Sequence, residues 1–221
     1  MRSPFLLIVT LAIALSLALP AIPTSEAAST ASTLLAETAA PPAHEVGSPT
    51  ALAVYYPWFD YSTWEAGITP SLPAEPYHSG DPETIRRHVA EAKHAGLDGL
   101  VSAYFGPAYD NPTEANLRTL LDEAAEQGIG VAVLLETNSP EFFPTLQDQK
   151  DALWHVLNVH AQHPGYLRID GKPAIFVWQP RAIFNGGWRV NRDGPTAVAA
   201  WQAVIDELDP ERQALWIAEG V

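Results

Sequence analysis

Residues Ile129 to Leu135 read IGVAVLL and carry no polar side chain. A strand with one wet face alternates apolar and polar residues, so an unbroken apolar run calls for cover on both faces. A parallel sheet with helices packed over it supplies that cover. Gly128 stops a helix just before the run, and the turn-forming Glu136-Thr137-Asn138-Ser139-Pro140 follows it.

The rest of the chain repeats this alternation of strand and helix. Ala53 to Tyr56 suits a first strand, which Pro57 ends because it cannot donate to a ladder. Asp81 as N-cap and Pro82 at the first helical position open a helix to Ala95, with Ile85, Val89 and Ala92 on one stripe. Leu97 to Tyr104 reads as a second strand. Asn111 caps a helix from Pro112 that turns Leu117, Leu120, Leu121 and Ala124 inward. After the IGVAVLL strand, a third helix runs from Leu146 to His163, with Leu153, Val156, Leu157 and His160 on its stripe. Tyr166 to Pro173 forms a short strand and turn before the strand Ala174 to Trp178. A helix from Pro195 to Leu208 buries Val198, Trp201, Val204, Ile205 and Leu208, and Ala214 to Glu219 is a further strand.

The order βαβαβαβαβ fits an open doubly wound sheet or a (β/α)8 barrel. No glycine-rich phosphate fingerprint follows the first strand, which weakens the dinucleotide reading, and no cofactor is expected. A full barrel takes about 250 residues, and only about 170 remain here after the N-terminal segments. The expected fold is therefore α/β, the N-terminal part of a (β/α)8 TIM-type barrel of about five βα units, truncated before closure.

The N-terminal segments lie outside that fold. Arg2, the apolar stretch Phe5 to Leu19 and the small residues around Ser25-Glu26-Ala27 match a secretory signal peptide over 1–27. Residues 28–49 are rich in Ala, Ser, Thr and Pro and read as a disordered linker, leaving 50–221 as the folded domain. The expected location is secreted or extracytoplasmic, with cell-surface tethering open and no stable membrane insertion after cleavage. With 12 basic and 26 acidic residues the formal charge is −14, which argues against nucleic acid and anionic membrane surfaces as partners. The absence of cysteine excludes disulfides and thiolate metal sites. The oligomeric state is not legible.

Function points to the first strand's exit. Tyr56, Trp58, Phe59 and Tyr61 crowd it, as suits a site that stacks sugar rings. The loop Tyr61 to Gly80 adds Trp64, Tyr77 and His78, and long loops of this kind are commonly functional. In a barrel, working residues sit at the C-terminal strand ends. That rule selects Tyr56, Trp58, Asp60, Tyr104, Glu136, Trp178 and Glu219, with His78 from the loop, as candidate substrate-binding residues. Most have a plain structural alternative: a cap or loop salt bridge for Glu136 and Glu219, packing against the helix shell for the aromatics, and a bond to a nearby backbone carbonyl for His78. His160-x-x-His163 has the spacing of one helix face but lacks an accompanying acid, so no metal site is expected.

Several stretches together resemble the glycoside hydrolase family 99-like group, which includes endo-α-mannosidases and endo-α-mannanases. They are Val54-Tyr55-Tyr56-Pro57-Trp58-Phe59, Tyr77-His78-Ser79-Gly80-Asp81-Pro82, His88 with Ala92 to Gly99, Tyr104-Phe105-Gly106-Pro107, and Tyr166 to Trp178. The family 71 α-1,3-glucanases share part of the pattern. The resemblance implies an exported (β/α)8 hydrolase, endo-acting on α-linked mannose or glucose polymers, with a polysaccharide or glycan as partner. It also implies a retaining mechanism through two nearby glutamates in a segment like Glu-Trp-x-Glu. No such segment occurs in the sequence, so no catalytic residue is assigned. A non-catalytic carbohydrate-binding relative and a metal-dependent hydrolase on a similar barrel are the competing readings.

Overall fold

The computed structural model describes residues 50–67, 69–182 and 194–218. The expected signal peptide and linker, the aromatics Phe184 and Trp188, and the candidate Glu219 lie outside the described residues. Six strands form one sheet: β1 (Leu52–Tyr55), β2 (Gly99–Tyr104), β3 (Gly130–Glu136), β4 (Arg168–Ile169), β5 (Lys172–Trp178) and β6 (Leu215–Ala218). The helices are α1 (Tyr61–Glu65), α2 (Pro82–His94), α3 (Thr113–Gln127), α4 (Leu146–Asn158) and α5 (Gly194–Leu208).

Strands β1, β2, β3, β5 and β6 run parallel in that order. This is the α/β architecture of consecutive βα units found in TIM-type barrels. The short β4 pairs antiparallel with β5, through a two-residue loop whose Asp170 and Gly171 have φ of 51° and 77°. Positive φ at both positions is what a tight hairpin loop requires.

Strand alternation sorts the side chains into two layers. On the helix side, Val131, Val133 and Leu135 pack with Ile85 and Val89 of α2, Leu117, Leu120 and Leu121 of α3, Leu153 and Val156 of α4, and Trp201 and Val204 of α5. On the other side, Ala132, Leu167 and Ala174 meet Leu52, Phe176 and Ile217. Register carries that second face across the sheet, from Ala103 to Leu134, Phe176 and Ile217. Val54 on the same face is 51% exposed. The IGVAVLL run is therefore buried on both faces, as its composition requires.

The caps follow the sequence. Asp81 accepts from the Glu83 N–H at the head of α2. Asn111 accepts from the Thr113 N–H at the head of α3, and Gly128 with φ of 73° closes that helix. Two expectations need correction. The helix predicted to His163 ends at Asn158, followed by a 3₁₀ turn at His160–Gln162. Val159, at φ −117° and ψ −67°, breaks the regular helical backbone there, and the turn that follows carries His160 to Glu114 at 2.9 Å. Val198 on α5 is 49% exposed and does not face the core.

Candidate functional site

Phe59 holds the exit of β1 in place. Its N–H donates to Ser79 Oγ at 3.0 Å, and its carbonyl accepts from the Ser79 N–H at 2.8 Å. Phe59 stacks on Trp64 with ring centres 4.6 Å apart, and the Trp64 indole donates to the Tyr77 carbonyl. Asn116 of α3 donates to the Pro57 carbonyl at 2.8 Å from a buried position. The loop between β1 and α2 is thus fastened at both ends and carries the short helix α1.

On this base an aromatic row crosses three strand exits. Tyr56 lies 4.9 Å from Trp58, Trp58 stacks on Phe105 at 5.3 Å, and Phe105 stacks on Phe142 at 4.7 Å. Tyr56 is 41% exposed, and the other three are half-buried. Phe105 and Phe142 were not expected from the sequence. Phe105 is the first residue past β2, and both rings also pack against the helix-side core. Phe142 sits in the loop after β3, where no periodic signal marks it.

Glu136 and Trp178 end β3 and β5 as register partners, both half-buried. Alternation from Leu134 and Phe176 puts them on the non-helix face. Beyond them, the Thr137 hydroxyl reaches the carbonyls of Trp178 (2.7 Å) and Gln179 (2.9 Å). Asn138 donates to Gln179 Oε1 at 2.7 Å. Gln179 itself takes a φ of 46°, a left-handed conformation that side-chain-bearing residues adopt at some cost. These ties fix the two exits to each other and hold Glu136 beside Trp178.

The other candidates are placed differently. Tyr104 is a correction: it belongs to the helix side, is fully buried, and donates its hydroxyl to Glu114 Oε2 at 2.6 Å. Burial first, then the Glu114 carboxylate, pushes its hydroxyl far above the usual phenol range. It has no surface with which to stack a sugar. Asp60 is the N-cap of α1, in a capping box with Thr63. Its Oδ1 accepts from the hydroxyls of Ser62 and Thr63 and the Thr63 N–H, which lowers its pKa to about 2. His78 is exposed, and its Nδ1 accepts from the Gly80 N–H at 2.9 Å, a local bond to a backbone amide where a backbone carbonyl was the expected alternative.

The histidines also depart from the expected spacing. His163 pairs with Asp122 at 3.1 Å, away from His160. Glu114 instead collects His155, His160, Tyr104 and Arg118. Burial raises the Glu114 pKa, but hydrogen bonds from His160 and Tyr104, the charge of His160 and the Arg118 contact outweigh it. Its carboxyl lies well below the usual carboxylate range.

The model of the family described as "Glycosyl hydrolase family 99" matches residues 63–194, more than half of the chain. The chain belongs to glycosyl hydrolase family 99. It is 25% identical over 134 residues to the glycoprotein endo-alpha-1,2-mannosidase-like protein of Mus musculus, covering 56% of this chain and 29% of that protein. The Homo sapiens protein of the same description gives the same figures. The chain thus spans less than a third of the curated relatives it matches.

Among solved structures, one described as a glycoside hydrolase-like protein aligns with a TM-score of 0.52 and 15% identity, over 80% of this chain and 53% of that one. The endo-alpha-mannosidase of the same family from Bacteroides thetaiotaomicron aligns with a TM-score of 0.44 and 23% identity, over 57% of this chain and 44% of that one. Among the described residues, no helix is long and apolar enough to cross a membrane.

Proposed function

We propose that this family 99 chain supplies the glycan-binding face of an exported endo-acting glycosidase for α-linked mannose or glucose polymers. The observation that carries the proposal is the set of strand exits on the non-helix face. Tyr56 and Trp58 follow β1, and Glu136 stands in register with Trp178 at the ends of β3 and β5. Half-exposed rings offer sugar C–H faces a stacking surface, and a carboxylate between them accepts from hydroxyls. In TIM-type barrels this end of the sheet hosts the chemistry. The mannosidase-like descriptions of the relatives favour mannose.

Glycoside hydrolysis needs two carboxyl groups flanking the bond, about 5–5.5 Å apart in retaining enzymes. No such pair is assigned to the described residues, so the role proposed for this face is binding. Among the described residues, β1 and β6 each have a neighbour on one side only. Further strands pairing with those edges would complete the barrel and carry the acids. A carbohydrate-binding relative without catalysis would use the same face.

Affinity electrophoresis in gels containing α-mannan or α-1,3-glucan tests the binding role. The unmutated chain is expected to be retarded, and Trp58→Ala to weaken retardation more than tenfold without unfolding. Equal retardation of the two proteins would remove Trp58 from the site.

A further inference from the structure

Glu114, in the first turn of α3, receives side chains from three other elements. His155 Nε2 of α4 lies 3.2 Å from its Oε1, and His160 Nε2 of the 3₁₀ turn lies 2.9 Å from its Oε2. Tyr104 of β2 donates to Oε2 from the core. Side-chain exposure is 2% for His160, 15% for Glu114 and 19% for His155. One carboxylate oxygen and both imidazole nitrogens lie within 4.8 Å of one another.

We propose that Glu114, His155 and His160 form a zinc-class metal site that clips α3 to α4 and the turn after it. Zinc takes imidazole nitrogens at about 2.0–2.1 Å and carboxylate oxygens at about 2.0–2.2 Å, which sets neighbouring donors in a tetrahedron roughly 3.3 Å apart. The 3.2 Å contact of His155 with Oε1 and the 2.9 Å contact of His160 with Oε2 are each close to that spacing, and they run to the two different oxygens of the carboxylate. An ion held by these atoms needs side-chain adjustment, with the imidazole protons carried on Nδ1 in place of Nε2. Two imidazoles and one carboxylate suit zinc and its borderline neighbours better than calcium or magnesium, which prefer all-oxygen ligands. Tyr104, bonded to the carboxylate from behind, would orient the ligand as outer-shell partners of metal sites do. A water completes the coordination.

The cluster lies on the helix side of the sheet, opposite the strand-exit face, so its role is structural. Arg118 is the competing group. It donates to Glu114 Oε1 through Nε at 2.8 Å, and its side chain is 62% exposed, free to swing into solvent when metal binds.

The test uses the full chain without a histidine tag, stripped with a chelator and titrated with zinc(II) against a chromophoric competitor. One zinc is expected to bind at micromolar Kd or tighter and to raise Tm by at least about 5 °C at hundredfold excess over Kd. Cobalt(II) on the unmutated chain is expected to give the intense visible bands of a four-coordinate site, a readout that needs no variant. His155→Ala should weaken binding more than tenfold. Arg118→Gln should tighten it about tenfold by removing a charge-assisted competitor. His163→Ala, paired elsewhere, should leave it unchanged. Binding weaker than millimolar, a six-coordinate cobalt spectrum, or undiminished binding in His155→Ala would each overturn the assignment and leave Glu114 as the centre of a hydrogen-bond network alone.

Discussion

Replacing Tyr104 by phenylalanine separates two roles that one residue cannot hold at once. The ring is fully buried on the helix side, and its hydroxyl donates to Glu114 at 2.6 Å. Phenylalanine keeps the packing and opens no cavity, so the whole effect comes from the lost hydrogen bond. Hydrogen bonds to charged groups contribute about 1.5–3 kcal/mol. Glu114 keeps its contacts with His155, His160 and Arg118, so the carboxylate is not orphaned. The cost should fall near the lower end, about 1.5–2 kcal/mol. For a domain of this size that lowers Tm by roughly 3–8 °C. Thermal melts followed by circular dichroism measure the shift, and retardation in α-mannan gels should be unchanged. A variant with the original Tm and lost retardation would place Tyr104 at the glycan and refute its assignment to the helix side.

Glu136→Gln should weaken glycan retardation severalfold with a Tm change under about 2 °C, since it changes charge without shape at a half-buried position. Gly130→Ala is expected to destabilise by about 1–3 kcal/mol in urea melts, because its new methyl would lie 2.6 Å from Leu167 Cδ1 and 3.0 Å from Leu167 Cα. Asp60 has a folded pKa of about 2, below its unfolded value. Its cap on α1 is therefore fully present above about pH 4 and lost as pH falls towards 2. Hydrogen exchange at the Thr63 amide, which donates to Asp60, should accelerate across that window beyond its intrinsic pH dependence.

The strand and helix pattern was legible because burial on both faces leaves a mark in composition. IGVAVLL could hardly be anything but a covered strand, and Asp81-Pro82 and Gly128 announced their helix ends. Tyr104 was misplaced by reading strand ends without parity: the last residue of a strand faces whichever layer its register sets, and Tyr104 alternates with Ala103 onto the helix side. The role of Asp60 was present in the sequence as Asp-x-x-Thr, a cap signal hidden by the aromatics around it. The Glu114 cluster was not legible, because its histidines lie 41 and 46 residues away and only the packing of α3 against α4 joins them.

Indole Nε1–H resonances read the central claim most directly. Trp64, Trp201 and Trp216 donate to Tyr77, Pro180 and Asp209, and Trp154 sits exposed on α4. Titration of the labelled chain with an α-mannan oligosaccharide should shift Trp58 and Trp178 together and leave those four in place. Shifts confined to Trp154, or none at saturating sugar, would contradict a glycan-binding face at the strand exits.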